Sequence, residues 1–299
     1  MNVARFSRPL TAAGLLVIAA GALIVLLNGL NFGIDFQGGT LLERGLPGVV
    51  TANEVREALA DPSLAGLDLG RSVIQPLEES GARETVMLIR APALGGRADV
   101  EAIDAVLEAR FGGVSVRRTE MVGPVIGREL VSRALLALSL AAVGMLVYVS
   151  LRFEYRFALA AVIALVHDVF FVLAVVSLAG IEVTSAFVAA ILTLVGYSIN
   201  ATIIVFDRVR ENLALRKGSL DDIVNLSVRQ SLARCVNTSL TTLFVVGSLY
   251  FFGGSTIKDF TSTLLVGVVA GTYSSIFFSS SVWLVLRRMT GAAKAAVAP

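Results

Sequence analysis

Residues 194–212 read LVGYSINATIIVFDRVREN. An apolar run of the kind that crosses a membrane carries Ser198, Asn200 and Thr202 at its centre. It stops at a charged block, Asp207, Arg208, Arg210 and Glu211. Hydroxyl and amide groups inside hydrocarbon need partners on other helices or a wet path. The stretch therefore predicts a span that packs polar groups against something, with a helix end held in water.

Composition extends that reading outward. The chain has 299 residues, of which 56% are hydrophobic and only 16% charged, and its mean hydropathy is +0.80. Soluble chains are about a quarter charged, so this one is depleted in the manner of membrane proteins. The depletion is uneven: residues 30–130 are ordinary in charge and the remainder is almost purely apolar. One body in water and one in lipid are implied. The net charge of +2 is scattered and does not suggest nucleic acid as a partner. A single cysteine, Cys235, excludes an internal disulfide and any CxxC site, and it reads as a packing residue.

Six runs are long enough to cross a bilayer, about 9–29, 131–150, 157–179, 183–206, 234–253 and 260–286, since roughly 20 apolar residues suffice. The first lacks a small-x-small cleavage site and reads as a retained span. Lys and Arg collect in alternate short flanks: Arg5 and Arg8, Arg152 and Arg156, Arg208 to Arg229, then Arg287, Arg288 and Lys294. The other two short loops hold only Lys258. The positive-inside rule then places both termini (1–8 and 288–299) and the loop 207–233 in the cytoplasm, with 30–130 outside and a five-helix domain at 131–287.

The segment 30–130 changes period several times. TLLER (40–44) is a strand, and TANEVREALA (51–60) a helix with a Thr51–Glu54 capping box. SVIQPLEESGARETVMLIRA (72–91) reads as two strands around a Glu-Ser-Gly turn. ADVEAIDAVLEARF (98–111) is an amphipathic helix with Val100, Ile103, Val106 and Leu107 inward, and VSVRRTEMV (114–122) closes as a strand. The order βαββαβ predicts a ferredoxin-like α+β domain, two helices on one face of an antiparallel sheet. It offers no nucleophile–base set, so it reads as a moving or binding domain, or a spacer.

Polar residues within the spans are the candidate sites. Asp168 lies mid-span in ALVHDV (164–169), where a carboxylate costs roughly 2.5–3.5 kcal/mol to insert. It is either a proton-accepting or charge-pairing group, or a buried acid bonded to a neighbouring helix. The only histidine, His167, lies about 100° away around the same helix, so contact between the two is not required. Arg234 opens the fifth span, and Asn237, Thr238, Thr241 and Thr242 follow as a polar stripe that faces helices or a wet path. In the fourth span Ser198 and Thr202 share one face, Gly196 and Asn200 another. No HExxH, P-loop or Ser–His–Asp set occurs, so no enzyme, metal or cofactor is expected.

NFGIDFQGGTLLE (31–43), VGPVIGREL (122–130), ALVHDV (164–169) and GYSINATIIVFDRVREN (196–212) together resemble the SecF subunits of the SecD/SecF protein-export family, within the resistance–nodulation–division transporter superfamily. The resemblance spans nearly the whole chain. It implies a partner, SecD, association with the SecYEG channel and often YajC, and use of the proton-motive force to draw preproteins outward across the bacterial inner membrane. It also implies that Gly33, Asp35, Gly38, Gly39, Gly123 and Pro124 form a hinge motif, the glycines allowing angles that other residues resist. The family's Asn-Asp in the fourth span, assigned to the proton path, is Asn200–Ala201 here, whereas Arg234 matches the family's membrane arginine. The path then falls to a SecD carboxylate with Arg234 and the stripe, leaving Asp168 as this chain's own mid-membrane carboxylate. Ser198, Asn200 and Thr202 are expected to face the partner. A small-molecule or ion exporter of the same superfamily, and an uncoupled scaffold of the translocase, are the competing readings.

Overall fold

The computed structural model describes residues 2–77, 84–215 and 218–297. The chain divides into two units: Met1–Asn31 with Leu135–Pro299, and Phe32–Ala134.

After a 3-10 turn at Ala4–Phe6, helix α1 spans Ser7–Asn28. The second unit then begins with a single helical turn, Ile34–Gln37, and strand β1, Gly39–Pro47. Helix α2 (Ala52–Leu59) starts where the capping box predicts. Thr51 accepts from the Glu54 N–H, and the Glu54 carboxylate accepts from the Thr51 N–H. Strands β2 (Val73–Leu77) and β3 (Glu84–Ala91), helix α3 (Arg97–Phe111) and strand β4 (Ser115–Val122) complete it. The Glu-Ser-Gly turn lies outside the described residues. The four strands form an antiparallel sheet in the order β2-β3-β1-β4.

Leu42, Leu46, Ile74, Met87 and Ile89 of the sheet pack with Val55 and Leu59 of α2 and Val100, Ile103 and Leu107 of α3 in one core, with Val106 at its edge. The period-3.6 spacing of the helices thus supplies the face that covers the sheet. One ion pair is enclosed beside it. Arg44, fully buried, is held by the Asp104 carboxylate of α3 through two N–H bonds of 2.6 and 3.1 Å, and by the Arg118 carbonyl.

Helix α4 (Pro124–Arg152) is long and largely exposed. Helices α5 (Tyr155–Ala179), α6 (Ser185–Ala214), α7 (Leu220–Phe252) and α8 (Lys258–Tyr273) follow. A π turn at Ser274–Phe278 leads into α9, Ser279–Val297. Among the described residues, six helical segments are long and apolar enough to cross a membrane: Ala4–Asn28, Val125–Arg152, Tyr155–Ala179, Ser185–Ala214, Leu220–Phe252 and Lys258–Thr290. Helices suit this setting because each satisfies its own backbone groups without water.

The structure corrects the ends of two spans. The charged residues 207–214 continue α6 as helix, and α7 begins at Leu220, so most of the segment expected as a loop is helical. Ser219 makes this possible with a second capping box, its hydroxyl accepting from the Asp222 N–H.

Within this unit α1 packs against α5 and α9. Its approach depends on absent side chains: a Cβ at Gly21 would lie 2.7 Å from the Phe170 carbonyl oxygen, and one at Gly14 would strike the Phe278 ring. At one end of the core Phe157 stacks on Trp283 with centroids 4.8 Å apart and meets the tilted Phe206 ring at 4.9 Å.

Candidate functional site

Asp168 is wholly buried in the middle of α5. Three side chains converge on it. Ser198 of α6 donates to Oδ2 at 2.5 Å, Ser274 of the π turn donates to the same oxygen at 2.8 Å, and His167 Nδ1 lies 3.0 Å from Oδ1. The sequence reading did not require His167 and Asp168 to meet; they do. His167 is itself buried and its ring sits among Phe171, Tyr273 and Phe278. Two hydroxyl donors and an imidazole nitrogen thus give this acid the partners that a lone one in hydrocarbon lacks.

The hydroxyl network continues beyond the acid. Ser275 donates to the Ser198 carbonyl at 3.0 Å, and Thr202 donates to Ser275 at 3.0 Å. Ser279 turns its hydroxyl back to the Ser275 carbonyl. A second group lies on the neighbouring face: Tyr197 and Thr272 each donate to the Ser239 oxygen at 2.7 Å. Ser274, Ser275, Tyr197, Ser239 and Thr272 were not singled out from sequence. The visible signal was the serine density of SSIFFSSS (274–281), unusual inside an apolar span.

This geometry divides the residues of the opening stretch. Ser198 and Thr202 are buried inside this chain's own bundle, not turned towards a partner as expected. Asn200 and Gly196 lie on the opposite, exposed face. Ala201 is buried, and its methyl group offers neither charge nor proton.

On α7 the stripe is real and outward. Arg234, Asn237, Thr238 and Thr241 are exposed, while Cys235 and Ser239 point inward. Thr238 satisfies its hydroxyl on the Arg234 carbonyl at 2.9 Å, and Thr241 and Thr242 use the Thr238 carbonyl. These polar heads on a membrane helix require a surface other than lipid.

The charged end of α6 is a small network. Asp207 accepts from Arg210 at 2.9 Å and from Arg152 at 3.5 Å, and Arg208 pairs with Glu211 at 2.8 Å. Both Arg152 and Arg210 lie over the Phe153 ring, at 5.4 and 5.2 Å. Arg216 and Lys217 lie outside the described residues.

In the second unit, the expected hinge residues are only partly what their glycines suggested. Gly38 and Gly39 have φ of 75° and 134°, where L side chains are strained, but Gly33 sits at −76° and needs no glycine. Asp35 lies in the helical turn Ile34–Gln37, which rests on the start of α4: a Cβ at Gly127 would meet the Phe36 carbonyl at 3.1 Å. Gly123 accepts the Gly127 N–H through its carbonyl as α4 begins at Pro124. Among the described residues no group of three or more His, Cys, Asp or Glu is placed to hold a metal ion.

Residues 102–289 match the family description "Protein export membrane protein SecD/SecF, C-terminal", and residues 24–43 match "SecD/SecF GG Motif". The chain is 38% identical to protein translocase subunit SecF of Thermobaculum terrenum over 291 residues, covering 94% of this chain and 92% of that one. It is 38% identical to protein translocase subunit SecDF of Bacillus subtilis, covering 90% of this chain and 36% of that one. The crystal structure of SecDF, a translocon-associated membrane protein from Thermus thermophilus, superposes with a TM-score of 0.85 at 35% identity, over 96% of this chain and 39% of that chain. The chain thus spans about two fifths of the SecDF proteins it resembles.

Proposed function

The chain belongs to the SecD/SecF family of protein-export membrane proteins and is an auxiliary Sec translocase subunit that pairs with SecD, and we propose that the proton-motive force drives it. It is a multi-pass protein of the bacterial membrane. In this reading both termini are cytoplasmic, and the α+β unit is an external ferredoxin-like domain that swings about the Gly38–Gly39 and Gly123–Pro124 segments. It acts late in translocation on preproteins emerging from SecYEG, with YajC as a further associate, and makes and breaks no covalent bonds.

The observation that carries the proposal is Asp168, a fully buried carboxylate whose three side-chain partners all come from this chain. Hydroxyls can donate to an ionised acid or accept from a protonated one, so the cage tolerates both states. The exposed stripe of Arg234, Asn237, Thr238 and Thr241, with Asn200, meets SecD. There Arg234 finds the carboxylate that Ala201 does not provide. Two sites then share the work, and the magnitudes favour more than one. A charge crossing 100 mV yields about 2.3 kcal/mol, whereas moving a two-state element from 1:99 to 99:1 takes about 5.5 kcal/mol.

The test is completion of export in vesicles containing this chain, SecD and the channel, with and without a proton-motive force. Asp168→Asn is expected to abolish the stimulation by the force while leaving assembly intact. Stimulation equal to the native level would move the proton wholly to the partner.

A further inference from the structure

The last span is not one continuous α-helix. At the π turn the Ser279 N–H reaches back five residues to the Ser274 carbonyl, which leaves one residue more in that turn than α geometry holds. Closing the turn would advance everything beyond it by one residue step, a rotation of about 100° and a shift of about 1.5 Å. Such an element has discrete alternatives, which a continuously flexible segment lacks.

The turn is tied at its first residue. Ser274 has one hydroxyl hydrogen and two acceptors in reach, Asp168 Oδ2 at 2.8 Å and the Gly271 carbonyl at 3.3 Å. An ionised Asp168 takes that hydrogen because a charged acceptor is the stronger one. Oδ2 already receives Ser198, and His167 Nδ1 lies 3.0 Å from Oδ1. A proton placed on Oδ2 changes the count. That oxygen becomes a donor and can no longer accept from both serines. Ser198 turns to accept, and Ser274 turns to the Gly271 carbonyl on its own helix.

We propose that His167 and Asp168 form a proton-binding dyad that governs the π turn: ionised, Asp168 pins the turn through Ser274; protonated, it lets go, the turn closes and α9 rotates. This deepens the proton-driven reading above and rests on it. The step is one proton taken up and later given back, with no other bond made or broken.

The dyad has few electrostatic neighbours. Tyr273 is the titratable group facing His167 from the last span. Between Arg8 and Asn28, α1 carries no ionisable residue. On α6 the nearest charge is Asp207, nine residues past Ser198, about 13 Å along the helix. Lys258 and Asp259 at the start of α8, and Arg287 on α9, are each about 20 Å or more from Ser274. Helix α7, which touches the π turn, turns Cys235 and Ser239 inward and Arg234 away. Hydroxyls and aromatic rings therefore make up the immediate surroundings of the dyad.

The experiment places spin labels at Leu215→Cys and Met289→Cys, both exposed in the native chain, in a Cys235→Ala background. The chain is held with SecD in lipid nanodiscs, without channel or gradient. Distances are measured across roughly pH 5 to 9. A rotation of about 100° moves a side chain at a helix surface by about 8 Å, so a second distance population is expected to grow as pH falls. Ser274→Ala and Asp168→Asn should show that population at every pH. A single distance unchanged by pH in the native complex overturns the proposal, as does a pH response that survives Asp168→Asn. If the distances shift but Asp168→Asn leaves force-stimulated export at its native level, the latch stands and the proton that drives export lies wholly on the partner.

Discussion

Asp168 and Ser274, 106 residues apart in the chain, share a 2.8 Å hydrogen bond inside the helical bundle. The bond joins the third span to the sixth at the residue where the sixth departs from α geometry. The carboxylate is thus part of the packing as well as a candidate for chemistry. Ser198→Ala removes one of two donors to Oδ2 and is expected to cost about 1–2 kcal/mol. Asp168→Ala, which strands Ser198, Ser274 and His167 together, should cost more, about 3 kcal/mol. Thermal unfolding of the detergent-solubilised chain reads the order. Equal midpoints for both variants and the native chain would mean the network holds nothing together.

Close approach of α1 makes a second prediction. Gly21→Ala forces a methyl group against the Phe170 carbonyl, a backbone atom that cannot swing aside, and should destabilise by about 1–3 kcal/mol. Gly144→Ala on α4 meets nothing within 4 Å and should be neutral or mildly stabilising, since alanine is the better helix former. A matched pair of unfolding curves checks both, and a harmless Gly21→Ala would refute the packing of α1.

The α+β unit should be acid-sensitive. The Thr51 N–H and hydroxyl bound to Glu54 hold its carboxyl below the ordinary value of 4.5. The Arg117 guanidinium and Ser115 hydroxyl do the same for Glu84. A folded-state pKa below the unfolded one gives stability that is present above the unfolded value and lost as pH falls through the folded one. Stability of this unit should therefore decline below pH 4.5. Glu84→Gln should flatten that decline, as read by protease susceptibility of the full chain against pH. An unchanged slope would locate the sensitivity elsewhere.

The outward stripe of α7 predicts the strength of pairing. Asn237→Ala and Thr241→Ala should each weaken association with SecD by about 0.6 kcal/mol, roughly threefold. The control is Leu140→Ala on α4, an exposed apolar position, which should change nothing. Retention of SecD during purification at graded detergent concentration measures it. Full retention in the double variant would assign the stripe to a wet path.

Local sequence rules reached much of this. The six apolar runs fall in the six helices that, among the described residues, are long and apolar enough to cross a membrane, Thr51 and Glu54 formed their capping box, and the i, i+4 spacing put Ser198 and Thr202 on one face with Gly196 and Asn200 on another. What such rules missed depended on neighbours distant in sequence. Periodicity said Ser198 and Thr202 face together but not towards what; the answer is Asp168 and Ser275, on helices far along the chain. His167 and Asp168 point apart at Cβ, yet a short carboxylate and the near ring nitrogen still close to 3.0 Å. The helical continuation of α6 through Asp207–Ala214 escaped a reading based on apolarity, because ion pairs and the Phe153 ring support it instead.

The order of synthesis meets an obstacle in how the bundle closes. Arg288 Nη1 donates to the Ser7 hydroxyl at 3.2 Å across 281 positions, and Arg288 also binds Asp221. Asn225 accepts the Ala4 N–H and donates to Asn2. Residues at and just before the start of α1 are thus held by residues 221 to 281 positions later, a closure of very large sequence separation. Helix α1 must stay inserted while α2 to α8 are made, with the Gly14 face, which Phe278 later fills, still vacant. Growing chains arrested before the π turn would display that vacancy to chaperones and proteases in the membrane, so the window for quality control lasts as long as synthesis of the intervening helices.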